Sequence, residues 1–394
     1  MANEDKRSPT PRLDAVDLLR GVVMVVMALD HVRDFVSNAR FDPSDLDRTT
    51  PELFATRWIT HFCAPTFVFL AGTGAYLQRK NGKSTVELAR FLLSRGAWLA
   101  LLELTVVRFG WAFSFAANTA FVQVIWAIGV SMMILSALVF LPARVVGAIG
   151  VAIIALHNLT DGIQVEGFGF VAGLWHVVHS PGLVRFPWGY NVFVGYPLVP
   201  WVGVMAAGYA FGLLLEGTPE MRGRRLLTLG GAMIALFVVL RLSGIYGEPK
   251  PWHAQETSAR SVMSFLACRK YPPSLCYLLM TLGPAIASIP LLERAKGAWT
   301  KPFLVFGRVP LFYYLLHLYL AHAVAILLCE ARYGTALPGL FGAPFDAEFP
   351  AGYGYSLPIV YVVWMVVVAL LFLPCMWFAG VKRRRRDLTW LSYL

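Results

Sequence analysis

Asp17-Leu-Leu-Arg20-Gly21-Val-Val-Met24-Val-Val-Met27-Ala-Leu-Asp30-His31-Val-Arg33-Asp34 is the stretch on which the reading of this chain turns. Between Arg20 and Asp30 it carries no charge, and it then places Asp30, His31, Arg33 and Asp34 within one and a half helical turns. Roughly 20 mostly apolar residues cross a hydrocarbon core about 30 Å thick. Residues 18–37 meet that length while holding ionisable groups that cost on the order of 3 kcal/mol each in a bilayer, which makes them functional candidates. The same criterion finds nine more stretches, at about 58–77, 91–112, 121–141, 145–160, 192–215, 226–242, 274–292, 302–328 and 356–379. No soluble domain fits between them; the longest connections, about 161–191 and 243–273, are rich in Gly, Pro, Trp and His. The expected fold class is all-α: a polytopic integral membrane helix bundle of about 10 transmembrane helices.

Composition agrees. Of 394 residues, 57% are hydrophobic and 14% charged, against about 25% charged in a soluble domain. A mean hydropathy of +0.61 excludes a disordered chain and a soluble nucleic-acid binder. The expected organisation is an N-terminal tail over 1–15, one transmembrane domain over 16–380 and a basic C-terminal tail over 381–394. The polar start precedes an apolar run that reads as a retained signal-anchor rather than a cleavable leader. The five cysteines are scattered without a CxxC, so they define no metal or disulfide framework, although Cys268 and Cys276 share one predicted loop.

The net charge of +11 describes orientation before it describes a partner. With ten spans both termini face one side, which receives 21 of the 34 Lys and Arg residues; 12 fall on the other side and Arg308 lies inside a span. Cytoplasmic loops are enriched in Lys and Arg, so both termini are expected in the cytoplasm. The run Lys382-Arg-Arg-Arg-Arg386 reads as an anchor at anionic headgroups, with no nucleic acid as partner.

In the first helix Asp30 and Arg33, and likewise His31 and Asp34, are spaced i,i+3 and can meet. Arg20 and His31 are eleven residues apart, nearly eclipsed, and about 16 Å apart along the axis. The bland reading makes the Asp30–Asp34 cluster the wet end of a short helix. The sharper one makes His31 a general base, with Asp30 or Asp34 orienting it. His61 opens the second span on the same side, either sharing a cavity with His31 or resting at the interface beside Trp58. Ala71, Gly72 and Gly74 permit close helix approach. Glu103 is an isolated intramembrane charge that must find a partner, with structural pairing favoured over catalysis.

Farther along, Tyr313, Tyr314 and His317 share a helix face, and Pro310 frees a backbone carbonyl. Arg308 suits an anionic head group or simply snorkels. Tyr196-Pro197-Leu-Val-Pro200-Trp201 looks like a broken element lining a cavity. His176 and His179 lack a third metal ligand, so no metal is expected. Neither a P-loop, a dinucleotide loop, GxSxG nor HExxH occurs.

Arg12-Leu-Asp14-Ala-Val-Asp17-Leu-Leu-Arg20-Gly21, the run to Asp30-His31, and Phe62-Cys-Ala-Pro65-Thr-Phe-Val-Phe-Leu-Ala-Gly72 resemble the bacterial heparan-α-glucosaminide N-acetyltransferase-like membrane family. Tyr196 to Met205, Lys270-Tyr-Pro-Pro-Ser274 and Gly307 to His317 look like its later blocks. The resemblance implies a multi-pass protein of the bacterial plasma membrane that uses acetyl-CoA on the cytoplasmic side and a sugar or glycan acceptor outside. It implies a bilayer as partner and leaves room for a homodimer. In the related O-acyltransferase branch, an Arg and a His at the spacing of Arg20 and His31 mark the first helix, which makes His31 the best catalytic transfer. Arg90 and Arg95 loosely match that branch's CoA-binding arginines; Arg20 and Arg308 are further candidates for the CoA head. Arg33, His61, Trp201, Tyr313, Tyr314 and His317 are the candidates for acceptor binding, with Arg33, Tyr313 and Tyr314 also able to donate to an oxyanion. N- and O-transfer, and direct transfer and an acetyl-His route, stay open. The alternative class is a secondary transporter with Glu103, His31 and His317 as a proton relay.

Overall fold

The structure is a computed structural model that describes residues 13–116, 118–165, 167–341, 349–350, 352–385 and 387–393. The N-terminal tail with Arg12, and Arg386 of the basic run, lie outside these. The first half contains α1 (Asp14–Val36), α2 (Pro51–Thr60), α3 (Cys63–Lys80), α4 (Thr85–Leu102), α5 (Arg108–Ala112), β1 (Thr119–Val122), α6 (Val124–Leu138), α7 (Ala143–Leu156), α8 (Phe170–Val178), β2 (Gly182–Arg185) and β3 (Asn191–Val194). The second half contains α9 (Leu198–Phe211), α10 (Pro219–Ser243), α11 (Ser258–Leu266), α12 (Leu275–Arg294), α13 (Thr300–Arg308), α14 (Pro310–Tyr333) and α15 (Leu357–Arg384).

Each of the ten stretches expected to span contains helix, and the sequence sets the ends. Ser84 and Glu87 form a reciprocal capping box at α4. Thr218 caps α10 ahead of Pro219, and Gly244 closes it at φ 63°. Among the described residues, Ala143–Thr160, Leu198–Leu215, Pro219–Ser243, Leu275–Arg294, Pro310–Tyr333 and Leu357–Arg384 are long and apolar enough to cross a membrane, and Val124–Leu138 is a shorter apolar helix. α1 falls outside that set because it carries Asp14, Asp17, Arg20, Asp30, Arg33 and Asp34.

Three expectations need correcting. Residues 192–194 are strand, not the start of a helix: β3 pairs with β1 in parallel and with β2 antiparallel, giving a small sheet in the order β1-β3-β2. Pro197 and Pro200 do not break a helix; Pro197 precedes α9 and Pro200 sits in its first turn, where no intrahelical donor is needed. Pro310 likewise starts α14 after Val309 separates it from α13. Cys268 and Cys276 are both free and buried.

α1 is the hub, packed on α2, α3, α12, α13, α14 and α15. Its closest neighbour is α13, because Gly21 and Gly307 face each other across the contact. A Cβ on Gly21 would land on the Phe303 carbonyl, and one on Gly307 on the Asp17 carbonyl. Overpacking typically costs about 1–3 kcal/mol, and here the obstacle is backbone that cannot rotate away. Gly307→Ala is therefore expected to lower the thermal midpoint and the monodisperse fraction in detergent, whereas Gly74→Ala, which meets nothing within 4 Å, should leave both unchanged.

Candidate active site

α1 ends among buried charges that form a network. Arg33 sits 3.0 Å from Asp30 and 2.6 Å from Asp34, and Arg57 of α2 donates to Asp30 at 2.5 Å. Asp30, Arg33 and Arg57 are largely enclosed, so each charge needs the others. The expected pairing of His31 with a carboxylate is absent. Instead His31 Nδ1 lies 2.7 Å from His317 Nε2, with the rings stacked at 19°. His317 Nδ1 lies 3.1 Å from the Tyr313 carbonyl oxygen, which only accepts. His317 Nδ1 therefore carries its proton, its Nε2 accepts from His31 Nδ1–H, and His31 Nε2 keeps a free lone pair. Pro310 starts the helix that brings His317 here, two turns in from its N-terminus.

Two large cavities approach this pair from opposite ends of the bundle. One, at the C-terminal end of α1 and called outer after the orientation proposed below, has about 1450 Å³ and is lined by His31, Asp30, Arg33, Asp34, Arg57, Trp111, Gln123, Lys270 and Tyr271, with the small sheet on its wall through Phe121, Leu183 and Phe193. The other, at the N-terminal end of α1 and called inner, has about 990 Å³ and is lined by Arg20, Lys83, Arg95, Lys301, Arg308, Lys382 and Arg383 and, among the described residues, by no Asp or Glu. Its far end is apolar, with Met24, Leu70, Ala71 and Ile125. Phe67 and Val124 line both cavities, so the two meet there. Tyr314, its ring 6.2 Å from that of His31, belongs to the inner wall.

Several expected residues lie elsewhere. His61 is buried with its ring against Tyr277, its carbonyl accepting from the Tyr277 hydroxyl at 2.8 Å, and lines neither cavity. Trp201 is enclosed beside Tyr196 and also lines neither. Tyr313 stacks on His317 behind the pair, outside both cavities. Arg90 is exposed on α4 and faces away from the inner cavity. Arg20 and Arg308 do line that cavity, but Arg20 also bonds Asp17 at 3.0 Å and Arg308 bonds Asp14 at 3.0 Å. Glu103, in a π-helical turn over Glu103–Val107, accepts from the Trp126 N–H at 2.8 Å and so caps the start of α6. His176 meets the Ser180 carbonyl, whereas His179 meets Thr160, so the two do not converge.

Sequence reading passed over Arg57, Trp111, Gln123, Lys270, Tyr271, Lys83, Lys301, Lys382 and Arg383. The basic ones were visible only as loop charges, because nothing local says that loops far apart in sequence share one mouth. Tyr271 lies in the loop before α12; burial would raise its pKa, but Lys270 and Arg57 outweigh that and hold it below the ordinary value.

A multi-pass helical protein with two cavities that meet at Phe67 and Val124, a histidine on the wall of one and its buried histidine partner behind it, is the class that the fold and site define. Residues 12–244 match the heparan-alpha-glucosaminide N-acetyltransferase catalytic family, more than half of the 394 residues. The chain belongs to that family of membrane acetyltransferases. No curated protein matches the chain. The matched region includes α1 and His31 but ends before α12, so His317 enters the site from beyond it.

Two outcomes follow from these charges. Removing one partner of a buried pair costs about 3–5 kcal/mol. Asp30→Asn should therefore lower the thermal midpoint strongly, and adding Arg57→Met should restore part of it. In the outer loops, Asp161 binds Arg269, accepts from Asn158 at 2.7 Å and lies 3.7 Å from His179. Burial would raise its pKa, but bonds from His179 and Asn158 and the charge of Arg269 prevail and hold it at about 2. A depressed carboxylate stabilises above its unfolded pKa of about 3.9 and ceases to do so as pH falls through the folded value. Midpoints measured from pH 7 to 3 should show no contribution from Asp161 titration above about pH 5 and a loss below about pH 4. Asp161→Asn should remove that acid-side component.

Proposed function

We propose that this protein is a transmembrane acyltransferase of ten spans, with both termini in the cytoplasm of a bacterial cell and a single domain over residues 16–380. It moves an acetyl group from cytoplasmic acetyl-CoA to an amine or hydroxyl of a sugar or glycan acceptor on the outer side. The observation that carries this reading is the meeting of two opposed cavities at Phe67 and Val124, one of them lined by His31. A basic inner mouth suits the phosphates of CoA, and its apolar far end suits an uncharged acyl-carrying arm. From the Gln78 level of α3 to Phe67 is about 16 Å along the helix, so the thioester would reach the partition while the phosphates stay among Lys83, Arg95, Lys301, Lys382 and Arg383.

In this mechanism the acceptor enters the outer cavity and His31 Nε2 takes its proton as it attacks the thioester carbonyl. His317 holds the tautomer that leaves Nε2 free, as a positioning residue. The Asp30–Arg33–Asp34–Arg57 network keeps the end of α1 in place, and its carboxylates favour the imidazolium that forms. Glu103, tied to the start of α6, has no part in the transfer, which weakens a proton-relay carrier as the alternative.

The test uses the protein purified in detergent, labelled acetyl-CoA and a panel of amino sugars. His31→Ala is expected to cut transfer by roughly 10²–10⁴-fold with acetyl-CoA binding retained; full activity in that variant overturns the assignment. His317→Ala should also lose activity, while His317→Gln, whose carbonyl still accepts from His31 Nδ1–H, should keep more of it. Lys83→Gln with Arg95→Gln should raise the KM for acetyl-CoA with little change in kcat.

A further inference from the structure

Trp111 and Gln123 present an anomaly that packing does not explain. The indole Nε1–H of Trp111 and the carboxamide Nε2 of Gln123 are both buried, and neither has a hydrogen-bond partner. Both residues line the outer cavity. Buried donors in native proteins are nearly always paired, and leaving one unpaired is costly. Such donors are retained where charge appears only during a reaction.

Their placement is specific. The Trp111 ring stands 4.9 Å from the His31 ring at 65°, so its N–H belongs to the immediate surroundings of the base. Gln123 directly precedes Val124, one of the two residues common to both cavities. One donor therefore sits beside the base and the other beside the partition through which the thioester must arrive. Glu103 fixes the second: its carboxylate accepts from Trp126 at 2.8 Å and anchors the chain where Gln123 leads into α6. Other unpartnered donors fit less well. Arg33 Nη1 is also unpartnered, but Arg33 is two residues from His31 on one helix, about 200° around the axis, and its other nitrogen bonds Asp34 at 2.6 Å. The unpartnered Tyr313 hydroxyl lines neither cavity.

We propose that the Trp111 indole N–H and the Gln123 side-chain N–H form the oxyanion site of this enzyme. The inference rests on the acyltransferase reading above. The acceptor nitrogen or oxygen adds its lone pair to the thioester carbonyl carbon while His31 Nε2 takes the acceptor proton. The carbonyl electron pair moves onto oxygen, and the two N–H groups hold that oxygen. When the carbonyl reforms, the carbon–sulfur bond breaks, the electron pair goes to sulfur, and the His31 imidazolium returns the proton to the CoA thiolate. Both donors are uncharged and fixed in place, so they favour the tetrahedral oxyanion over the neutral thioester.

Gln123→Met removes its donor with little change in bulk, whereas Trp111→Phe removes its donor together with part of the ring. Each is expected to lower kcat by roughly 10²–10³-fold, with KM for acetyl-CoA and CoA binding near wild type. Because an unsatisfied buried donor is itself destabilising, Gln123→Met should at the same time hold or raise the thermal midpoint. A packing role predicts the opposite pairing, with activity falling only as the midpoint and folded fraction fall. That outcome, or wild-type kcat in both variants, overturns the oxyanion site while leaving the His31 result intact. If the wild-type protein transfers no acetyl group from acetyl-CoA to any sugar in the panel, the acyltransferase reading and the oxyanion site fall together.

Discussion

Asp30 clasped between Arg33 and Arg57 is the constraint on which the rest depends. A buried carboxylate and two buried guanidiniums are tolerated only in each other's company. Satisfying them fixes the outer end of α1 against α2 and keeps His31, one residue on, at a defined height in the bundle. The hub position of α1 follows from the same logic at its other end, where Arg20 bonds Asp17 and the Gly307 carbonyl. Glycine at positions 21 and 307 then lets α13 approach to backbone contact.

A helix pinned at both ends can hold a reactive group where neither compartment reaches it freely. The outer cavity reaches His31 past mixed charges and aromatic rings, and the inner one, lined by cations and then apolar side chains, comes near it through Tyr314. This asymmetry suits a reaction between a polyanionic donor and a polar acceptor that never share a solvent. The histidine pair is neutral in its hydrogen-bonding pattern, with a carbonyl at one end and a free lone pair at the other. A carboxylate directly on His31 would have made it a more permanent cation.

The expectation that Asp30 or Asp34 orients His31 illustrates how local spacing misleads. His31 and Asp34 are i,i+3 and can meet on an isolated helix, but Arg33 competes for Asp34 and Arg57 arrives from another helix to take Asp30. The same limit applies to Arg90 and Arg95. Both precede the same span, yet only Arg95 is turned toward the inner cavity. Glu103 was legible as a buried charge needing a partner, but that partner is the backbone of α6 rather than another side chain.

What the sequence determined by itself is the class of molecule and the identity of its central helix. Apolar runs of membrane-spanning length, the asymmetry of Lys and Arg, and the charged end of α1 are local quantities, and the blocks around Arg20, His31 and Phe62–Gly72 carry the family. The caps at Ser84, Thr218 and Gly244 act within their own turns, whereas Pro310, read within a span, is a helix start. The tertiary structure alone decided which residues meet. The partnership of His31 with His317 spans 286 positions, and the basic inner mouth draws Lys83, Lys301 and Lys382 from three separate segments. The donors of Trp111 and Gln123, which find no partner among the described residues, share one cavity wall only because the packed bundle places them there. Periodicity reports which face of a helix is apolar, but not which neighbour it packs on; in a bundle of this size the chemistry lies in that second choice.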